Sequence, residues 1–163
     1  MTSFEQISAK IGSWEATQKK IKAWQNEGLK VVFTNGCFDI LHYGHIHYLS
    51  EAKDEGDKLV VAMNSESSIR QLKGASRPIH DTLSRLHIMA SLSYVDAVVE
   101  FSEDTPLELL TYLQPNVLIK GGDYIPHEIV GYDLITSLGG EVKVLPFVKG
   151  YSTTNIENKI KSM

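Results

Sequence analysis

Two histidines, His42 and His45, lie three residues apart in the stretch NGCFDILHYGH, which spans residues 35–45 and follows an apolar run. Side chains three apart at the start of a helix lie on one side of it, so both imidazoles can face one ligand. The free N–H groups of a helix N-terminus favour an anion, and imidazole N–H groups add donors. Gly36 lets a ligand approach the backbone closely. The pattern predicts a phosphate-binding loop.

Metal binding and plain surface exposure are the two alternatives for these histidines. A zinc ion would recruit Cys37, His42, His45 and His47. That set lacks the paired-ligand spacing of a closed structural zinc site. Surface histidines at a helix start would explain one histidine but not the neighbouring glycines. Cys37 has no neighbour that marks an activated thiol, so we expect it to pack in the loop rather than act as a nucleophile.

Hydroxyl side chains form a second polar group near the C-terminus. Ser152, Thr153 and Thr154 precede a helix-like segment that begins at about residue 152. Thr154 and Glu157 match a capping box, so plain helix capping is one interpretation. Spare hydroxyl and amide groups at a helix start also suit phosphates. The two interpretations are compatible.

Lys73, Arg77 and Arg85 form a basic group in the middle of the chain. Gly74 leaves the backbone beside Lys73 flexible enough for its side chain to approach a ligand, and Pro78 stiffens the backbone beside Arg77. Each of these cations is a candidate phosphate ligand. The alternative for any one of them is an ordinary solvated surface cation.

Short β-branched runs alternate with helix-like segments along the chain. The predicted strands are 30–35, 58–63, 96–101, 116–120 and 141–146. The predicted helices are 15–27, 44–56, one capped by Asp81, one beginning at a Thr105–Glu108 capping box with Pro106 in its first turn, one near 127–138 and one from about 152. Alternation of this kind predicts a doubly wound, five-stranded parallel sheet of Rossmann-like α/β class, with strand order 3-2-1-4-5.

The predicted topology brings two polar junctions together. Ligands bind such sheets beyond the carboxyl ends of the strands, where the strand order reverses. The stretch 35–45 leaves the first predicted strand and GGDY (121–124) leaves the fourth. We therefore expect both junctions to face one crevice.

Composition is that of an ordinary globular chain, with 163 residues and 42% hydrophobic residues. We expect one domain, in which a helical extension (1–29) packs on a domain formed by residues 30–163. A net charge of −4 argues against a general nucleic-acid binder. A single cysteine suits a reducing compartment, and no stretch reads as a secretory signal or membrane span. We expect a cytoplasmic protein with no membrane partner.

The motifs resemble those of a known family. GCFDILHYGH resembles the G-x-F-D and H-x-G-H signatures of the cytidylyltransferase-like nucleotidyltransferases, and STTNI (152–156) resembles their second signature. VVFTNGCFDILHYGHIHYLSEAKDEGDKLVVAMNS, KGASRP, LIKGGDY and STTNI are together similar to the adenylyltransferases that act on heptose 1-phosphate. The resemblance covers about residues 30–161.

This resemblance implies adenylyl transfer from ATP to D-glycero-β-D-manno-heptose 1-phosphate, giving ADP-heptose and pyrophosphate for lipopolysaccharide or another surface glycan. It implies a nucleotidyltransferase-type fold. The kinase half that often accompanies this activity is absent from the sequence, so a separate heptose kinase is expected upstream. Magnesium (Mg²⁺) is expected to travel on the phosphates, with no metal ligands from the protein.

The resemblance also implies roles for individual residues. The implied catalytic residues, which stabilise charge on the reacting phosphates, are His42, His45 and Lys73. The implied ATP contacts are Thr34, Asn35, Gly36, Cys37, Phe38, His42, His45, Asn64, Lys120, Gly121, Asp123, Ser152, Thr153 and Thr154. The implied sugar-phosphate contacts are Asp39, Lys73, Arg77 and Arg85. For Asp39, ordering of the loop as an Asx-turn former is the interpretation we favour.

Two other functions remain open from the sequence. One is a cytidylyltransferase acting on glycerol 3-phosphate or phosphoethanolamine. The cytidylyl branch often carries an arginine shortly before the second signature, and this chain has Lys149 and Tyr151 there instead. The other is a non-catalytic nucleotide-binding module. The resemblance also favours a homodimer, for which the apolar stripe with Trp14 and Trp24 offers one candidate surface.

Overall fold

A six-stranded parallel sheet forms the centre of the structure, a computed structural model that describes residues 1–163. Its strands are β1 (Ile11–Gly12), β2 (Val31–Gly36), β3 (Lys58–Asn64), β4 (Ala97–Phe101), β5 (Val117–Gly121) and β6 (Glu141–Leu145). The strand order is β1-β4-β3-β2-β5-β6, and every pair is parallel. The five longer strands therefore lie in the predicted order.

The sixth strand, β1, corrects the predicted strand count. It pairs Ile11 with Val98 and Gly12 with Val99 at the outer side of β4. Two residues are too few to produce the alternating pattern by which a strand is recognised in a sequence. The additional strand extends the sheet at the edge away from β6.

Eight helices and one 3₁₀ turn connect and cover these strands. They are α1 (Ser3–Ser8), α2 (Trp14–Asn26), α3 (Tyr43–Asp54), α4 (Glu66–Lys73), α5 (Thr82–Ser91), α6 (Leu107–Leu113), the turn Pro126–Glu128, α7 (Tyr132–Ser137) and α8 (Thr153–Lys161). The predicted cap at Asp81 is confirmed, because its carboxylate accepts a hydrogen bond from the Ser84 N–H at 2.8 Å. The helices α1 and α4 were not predicted.

Two predicted capping boxes are absent, and one predicted helix is divided. The α6 cap is Pro106, and the Thr105 hydroxyl accepts from the Leu107 N–H at 3.4 Å rather than from the Glu108 N–H that a capping box requires. The α8 cap is Ser152, which accepts from the Asn155 N–H at 3.0 Å. The single helix near 127–138 is divided into the 3₁₀ turn and α7 by Gly131, whose φ of 95° interrupts the helical backbone.

The core lies on both faces of the sheet. Alternate residues of β3 point to opposite sides, with Val60 in one buried cluster and Leu59 and Val61 in the other. Residues of α2, α6 and α7 complete the first cluster, and residues of α3 and α5 complete the second. Helices on both faces are the arrangement that a doubly wound sheet requires.

Helix α2 packs against its own sheet. Ile21 is fully buried, and Trp14 and Trp24 pack against the same cluster. The Trp14 indole N–H also donates to the backbone oxygen of Glu100 at 2.9 Å. The apolar stripe considered for a dimer contact is thus covered within one chain. None of the helices combines the length and apolar character that crossing a membrane would require.

Candidate active site

A polar crevice opens where β2 and β5 end side by side. These two strands are neighbours, and the chain leaves them in opposite directions along the sheet, to β3 and to β6. Three adjoining cavities of about 230, 580 and 240 Å³ occupy this end of the sheet. The crevice therefore lies where the strand order predicts a ligand site. We call the largest the acceptor cavity, for the expected acceptor of the adenylyl group, and the 240 Å³ one the phosphate cavity, for the expected ATP phosphates.

Their linings are as follows. Asn35, Gly36, Cys37, Phe38, Asp39, His45, Tyr48, Lys73, Lys120, Gly121, Tyr124, Phe147 and Thr153 line the central cavity of about 230 Å³. The acceptor cavity includes Asn64, Leu72, Lys73, Asp104, Lys120, Tyr124 and Glu128. The phosphate cavity includes His42, Gly44, His45, Lys73, Arg77, Tyr151, Ser152, Thr153 and Thr154.

The two histidines stand at the beginning of α3. His42 is the N-cap residue but makes no capping hydrogen bond with its side chain, so its ring is free to face the cavity. The His42 and His45 rings stack with centroids 3.8 Å apart. A β-carbon at Gly44 would lie 3.1 Å from both the His42 ring and Tyr151, so the glycine permits this close packing. The prediction that both rings point the same way is confirmed.

Both rings carry a nitrogen without a partner. The Nδ1 atoms of His42 and His45 are buried without a hydrogen-bond partner of standard geometry, although the Ile40 backbone still interacts with the His45 ring. Burial lowers the pKa of His45 to about 4, and the adjacent His42 contributes in the same direction. Burial also lowers the pKa of His42. At neutral pH the pair therefore offers two uncharged imidazoles, each with one N–H group.

The hydroxyl group near the C-terminus reaches the same cavity. Ser152, Thr153 and Thr154 line the phosphate cavity together with both histidines. The Thr153 hydroxyl donates to the backbone oxygen of Ile40 at 3.4 Å, which links α8 to the histidine loop. The N-terminus of α8 thus adds free backbone N–H groups beside those of α3. Two motifs that are distant in the sequence meet at one place.

Lys73 is the cation shared by all three cavities. It is the last residue of α4, and Gly74 follows with a φ of 96°, a backbone conformation that favours glycine. Lys120 lies at the end of β5 and lines the central and acceptor cavities. Its ammonium lies 5.5 Å from the centre of the Tyr124 ring, and burial lowers its pKa. Two lysine side chains therefore lie between the central and acceptor cavities and line both.

Cys37 is half-buried against β3. Its Sγ lies 3.8 Å from Oδ1 of Asn64, and burial raises the pKa of the thiol. A protonated thiol is a poor nucleophile. No group of three or more His, Cys, Asp or Glu side chains is placed to hold a metal ion.

Arg85 occupies a different position from the one predicted. The residue is 2% exposed and lines none of the three cavities. Its Nη1 donates to the backbone oxygens of Cys37 and Asn64 at 3.1 and 2.9 Å. The guanidinium holds the ends of β2 and β3 together, so the predicted contact with a sugar phosphate is corrected to a structural role.

Two other predicted ligand contacts do not line the crevice, and the carboxylate of a third is already engaged by the protein. Thr34 is fully buried, and its hydroxyl is 2.6 Å from that of Tyr48. Asp123 is exposed but lines none of the three cavities. Asp39 lines the central cavity, but its carboxylate accepts hydrogen bonds from Arg77 and from the N–H groups of Ile79 and His80. This arrangement fits loop ordering rather than contact with a sugar phosphate.

Several lining residues were not predicted. Tyr124 belongs to the GGDY stretch, and Phe147 lies just beyond the end of β6. A β-carbon at Gly121 would lie 2.6 Å from the Phe147 ring, so this glycine makes room for an aromatic wall. Asp104 and Glu128 are exposed residues that line the acceptor cavity. Carboxylates in loops leave no periodic signal in a sequence, which is why these two were missed.

A parallel sheet with this switch point, and two helix N-termini that meet at one cavity, is the arrangement typical of nucleotide-binding α/β proteins. The sequence pattern of the cytidylyltransferase-like family matches residues 33–161. The chain belongs to this family.

Comparison with individual proteins agrees with this assignment. The bifunctional protein HldE of Geotalea uraniireducens (strain Rf4) is 52% identical over 154 residues, which are 94% of this chain and 31% of the relative. HldE of Hydrogenovibrio crunogenus is 55% identical over 137 residues, 84% of this chain and 28% of the relative. The chain thus spans about a third of the length of the curated relatives it matches.

Solved structures give the same fold. The lipopolysaccharide core biosynthesis protein from Thermoplasma volcanium GSS1 is 35% identical, with a TM-score of 0.61 over 77% of this chain and 100% of that one. Pantoate-beta-alanine ligase from Francisella tularensis is 19% identical, with a TM-score of 0.62 over 94% of this chain and 78% of that one. The second likeness concerns the fold alone.

Proposed function

We propose that this protein transfers an adenylyl group from ATP to D-glycero-β-D-manno-heptose 1-phosphate, giving ADP-heptose and pyrophosphate. The observation that carries the proposal is the phosphate cavity, in which the His42–His45 pair, Lys73 and the hydroxyl group at the start of α8 converge. The identity of the substrate is inferred from the motifs similar to those of heptose 1-phosphate adenylyltransferases. The likeness to a lipopolysaccharide core biosynthesis protein supports a product used in a surface glycan.

The reaction needs no covalent intermediate on the protein. A phosphate oxygen of the sugar phosphate attacks the α-phosphorus of ATP, the new P–O bond forms, and the bond to the bridging oxygen of the β-phosphate breaks. Negative charge grows on the five-coordinate phosphorus and on the departing pyrophosphate. Neutral imidazole N–H groups and the Lys73 ammonium stabilise that charge from fixed positions. The amides and hydroxyls at the start of α8 bind the β- and γ-phosphates.

A magnesium ion fits this site only as a companion of the nucleotide. The phosphate cavity is lined by imidazole, ammonium, guanidinium and hydroxyl groups and by no carboxylate. Mg²⁺ prefers oxygen ligands in octahedral geometry and keeps several waters when it binds to phosphates. We propose that ATP carries the ion and that this chain supplies no cage for it.

The acceptor cavity favours a polyhydroxylated substrate. Its volume of about 580 Å³ is within the range of sites for ligands of drug size, more than a three-carbon phosphate fills. Lys73 and Lys120 offer charge for a phosphate, and Asn64 offers an amide. The exposed carboxylates of Asp104 and Glu128 can accept hydrogen bonds from sugar hydroxyls. These features favour a heptose phosphate over glycerol 3-phosphate.

The reaction also suggests a setting for the protein. ATP and a half-buried reduced thiol fit the cytoplasm, where we propose that the protein acts. A heptose kinase would supply the sugar phosphate. We also propose a homodimer, with residues 1–29 and 30–163 of each chain folded as one domain.

A pyrophosphate-release assay tests the proposed activity. Purified protein is incubated with ATP or CTP and with heptose 1-phosphate, glycerol 3-phosphate or phosphoethanolamine. We expect pyrophosphate with ATP and heptose 1-phosphate. Faster release with CTP and either small phosphate would replace the proposal with the cytidylyltransferase alternative. Nucleotide binding without pyrophosphate from any pair would favour the non-catalytic module.

A further inference from the structure

A buried ion-pair network joins three separate parts of the chain behind the phosphate cavity. Nε of Arg77 donates to Oδ2 of Asp39 at 3.0 Å, and Nη1 donates to Oε2 of Glu157 at 2.6 Å. The Asp39, Arg77 and Glu157 side chains are 1%, 8% and 21% exposed. A single guanidinium therefore connects the loop after β2, the loop after α4 and the helix α8.

Each connected segment carries groups that face the phosphate cavity. Asp39 precedes the histidine pair, Arg77 follows Lys73, and Glu157 lies in α8 behind Ser152–Thr154. Asp39 also accepts hydrogen bonds from the backbone N–H groups of Ile79 and His80 at 2.8 and 2.9 Å, which fix the loop after α4. The relative positions of the three phosphate-facing groups thus depend on one set of contacts.

The geometry suits arginine in particular. Its planar fork directs N–H groups toward two different carboxylates at once, whereas the lysine ammonium is a point charge on a flexible stem. The two carboxylates engage Nε and Nη1 and so fix the plane of the guanidinium, while Nη2 makes no hydrogen bond within the protein. The network is also separate from Arg85, which contacts backbone oxygens on the β3 side.

We propose that Arg77, bridging Asp39 and Glu157, is a positioning residue. It holds the loop before α3, the loop after Lys73 and the N-terminus of α8 in the relative positions that phosphate binding requires. Its kinetic consequences rest on the proposed function. Arg77 acts through these segments, so its loss changes ATP binding and turnover without removing a reacting group.

Conservative variants test this role. Glu157→Gln keeps the shape of the side chain and weakens its ion pairs with Arg77 and Lys161. Because α8 binds the β- and γ-phosphates already in the ATP complex and does not contact the reacting α-phosphorus, we expect KM for ATP to rise about tenfold with a smaller change in kcat. Arg77→Lys loosens the Lys73 loop as well, so we expect kcat to fall about tenfold too. The double variant is expected to be no worse than Arg77→Lys alone, because both changes break one network.

Lys161→Ala is the matched control. It removes the other ion pair of Glu157, in which Nζ of Lys161 lies 2.6 Å from Oε1 and the Lys161 side chain is 69% exposed. We expect it to leave both kinetic constants unchanged. Thermal unfolding followed by circular dichroism checks that every variant is folded. Asp39→Asn is the second variant of the buried pair if Arg77→Lys does not fold, with the same expected rise in KM.

The outcomes separate the two proposals. A wild-type protein that releases no pyrophosphate contradicts the proposed function, and the network is then judged by calorimetric ATP binding, which Glu157→Gln should weaken about tenfold. An unchanged KM and an unchanged ATP affinity in Glu157→Gln overturn the positioning role, even if the melting temperature falls. Additive effects of the two changes, or tighter ATP binding in Glu157→Gln, overturn it in favour of direct phosphate binding by Arg77.

Discussion

At the scale of single residues, the His42–His45 pair is the part of the site whose chemistry is most clearly set by its surroundings. The rings are stacked at 3.8 Å, and their Nδ1 atoms are buried without partners. Because Nδ1 of each ring is buried and both residues line the phosphate cavity, the other ring nitrogen is the one that can meet a ligand there. Phosphate oxygens are acceptors that imidazole N–H groups can satisfy.

Removing either imidazole tests this role. We expect His42→Ala and His45→Ala each to lower turnover by on the order of a hundredfold, the usual effect of losing a transition-state hydrogen-bond donor. The fold should survive, because both rings lie at the crevice. Near-normal turnover in a folded His45→Ala protein would contradict the assignment.

The pH dependence of His45 follows from its burial. Its pKa falls from 6.5 to about 4 in the folded chain, so the unfolded chain binds a proton in this range that the folded chain does not. Stability therefore falls as the pH is lowered from 6.5 toward 4. NMR titration of the histidine ring signals should give a midpoint near 4 for His45. A midpoint near 6.5 would show that the ring is solvated.

Lys73 and Arg85 should respond differently to truncation. Lys73 lines all three cavities, so Lys73→Ala is expected to lower kcat at saturating ATP by on the order of a hundredfold, with little change in stability. Arg85 is buried, so Arg85→Ala should chiefly lower the urea concentration at the unfolding midpoint. A kinetic defect confined to sugar-phosphate KM in Arg85→Ala would restore the contact that the sequence predicted.

At the scale of secondary-structure elements, α2 is an integral cover of the sheet. Ile21 is fully buried in the cluster formed with β2, β3 and α6. Ile21→Ala should lower the free energy of unfolding by about 2–5 kcal/mol, through lost apolar burial and the cavity left behind. Urea unfolding measures the change, and Lys19→Ala on the exposed side of α2 is the control. A loss below about 1 kcal/mol would show that the site collapses or that α2 packs loosely.

The elements also show how far the sequence alone leads. Long apolar runs such as β3 are recognised because both faces of a parallel strand are buried. The cap at Asp81 is a local hydrogen bond between residues close in the sequence, so it too was predictable. Glu157 shows the limit: its local pattern indicated a capping box, but its carboxylate pairs with Arg77 across the fold. The buried position of Arg85 likewise depends on contacts with residues distant in the sequence, Cys37 and Asn64.

At the scale of the whole molecule, the sequence motifs predicted where the crevice lies, and the strand order determines which other residues line it. Phe147, Tyr124 and the acceptor-cavity carboxylates are brought together by the order β3-β2-β5-β6 rather than by spacing along the chain. The homodimer remains a prediction, and the Trp14–Trp24 stripe no longer supplies its surface. Light scattering at micromolar protein should give a mass near twice 18.2 kDa, and the monomer mass would contradict the prediction.

Direct transfer of the adenylyl group is the central claim, and ATP labelled at the α-phosphate tests it most directly. Wild-type protein is incubated with this ATP and heptose 1-phosphate, and label is measured in the nucleotide sugar and on the acid-precipitated protein. We predict label in ADP-heptose, none on the protein, and a loss of on the order of a hundredfold in the His45→Ala protein. Label that stays in ATP, or that attaches to the protein, would contradict this account.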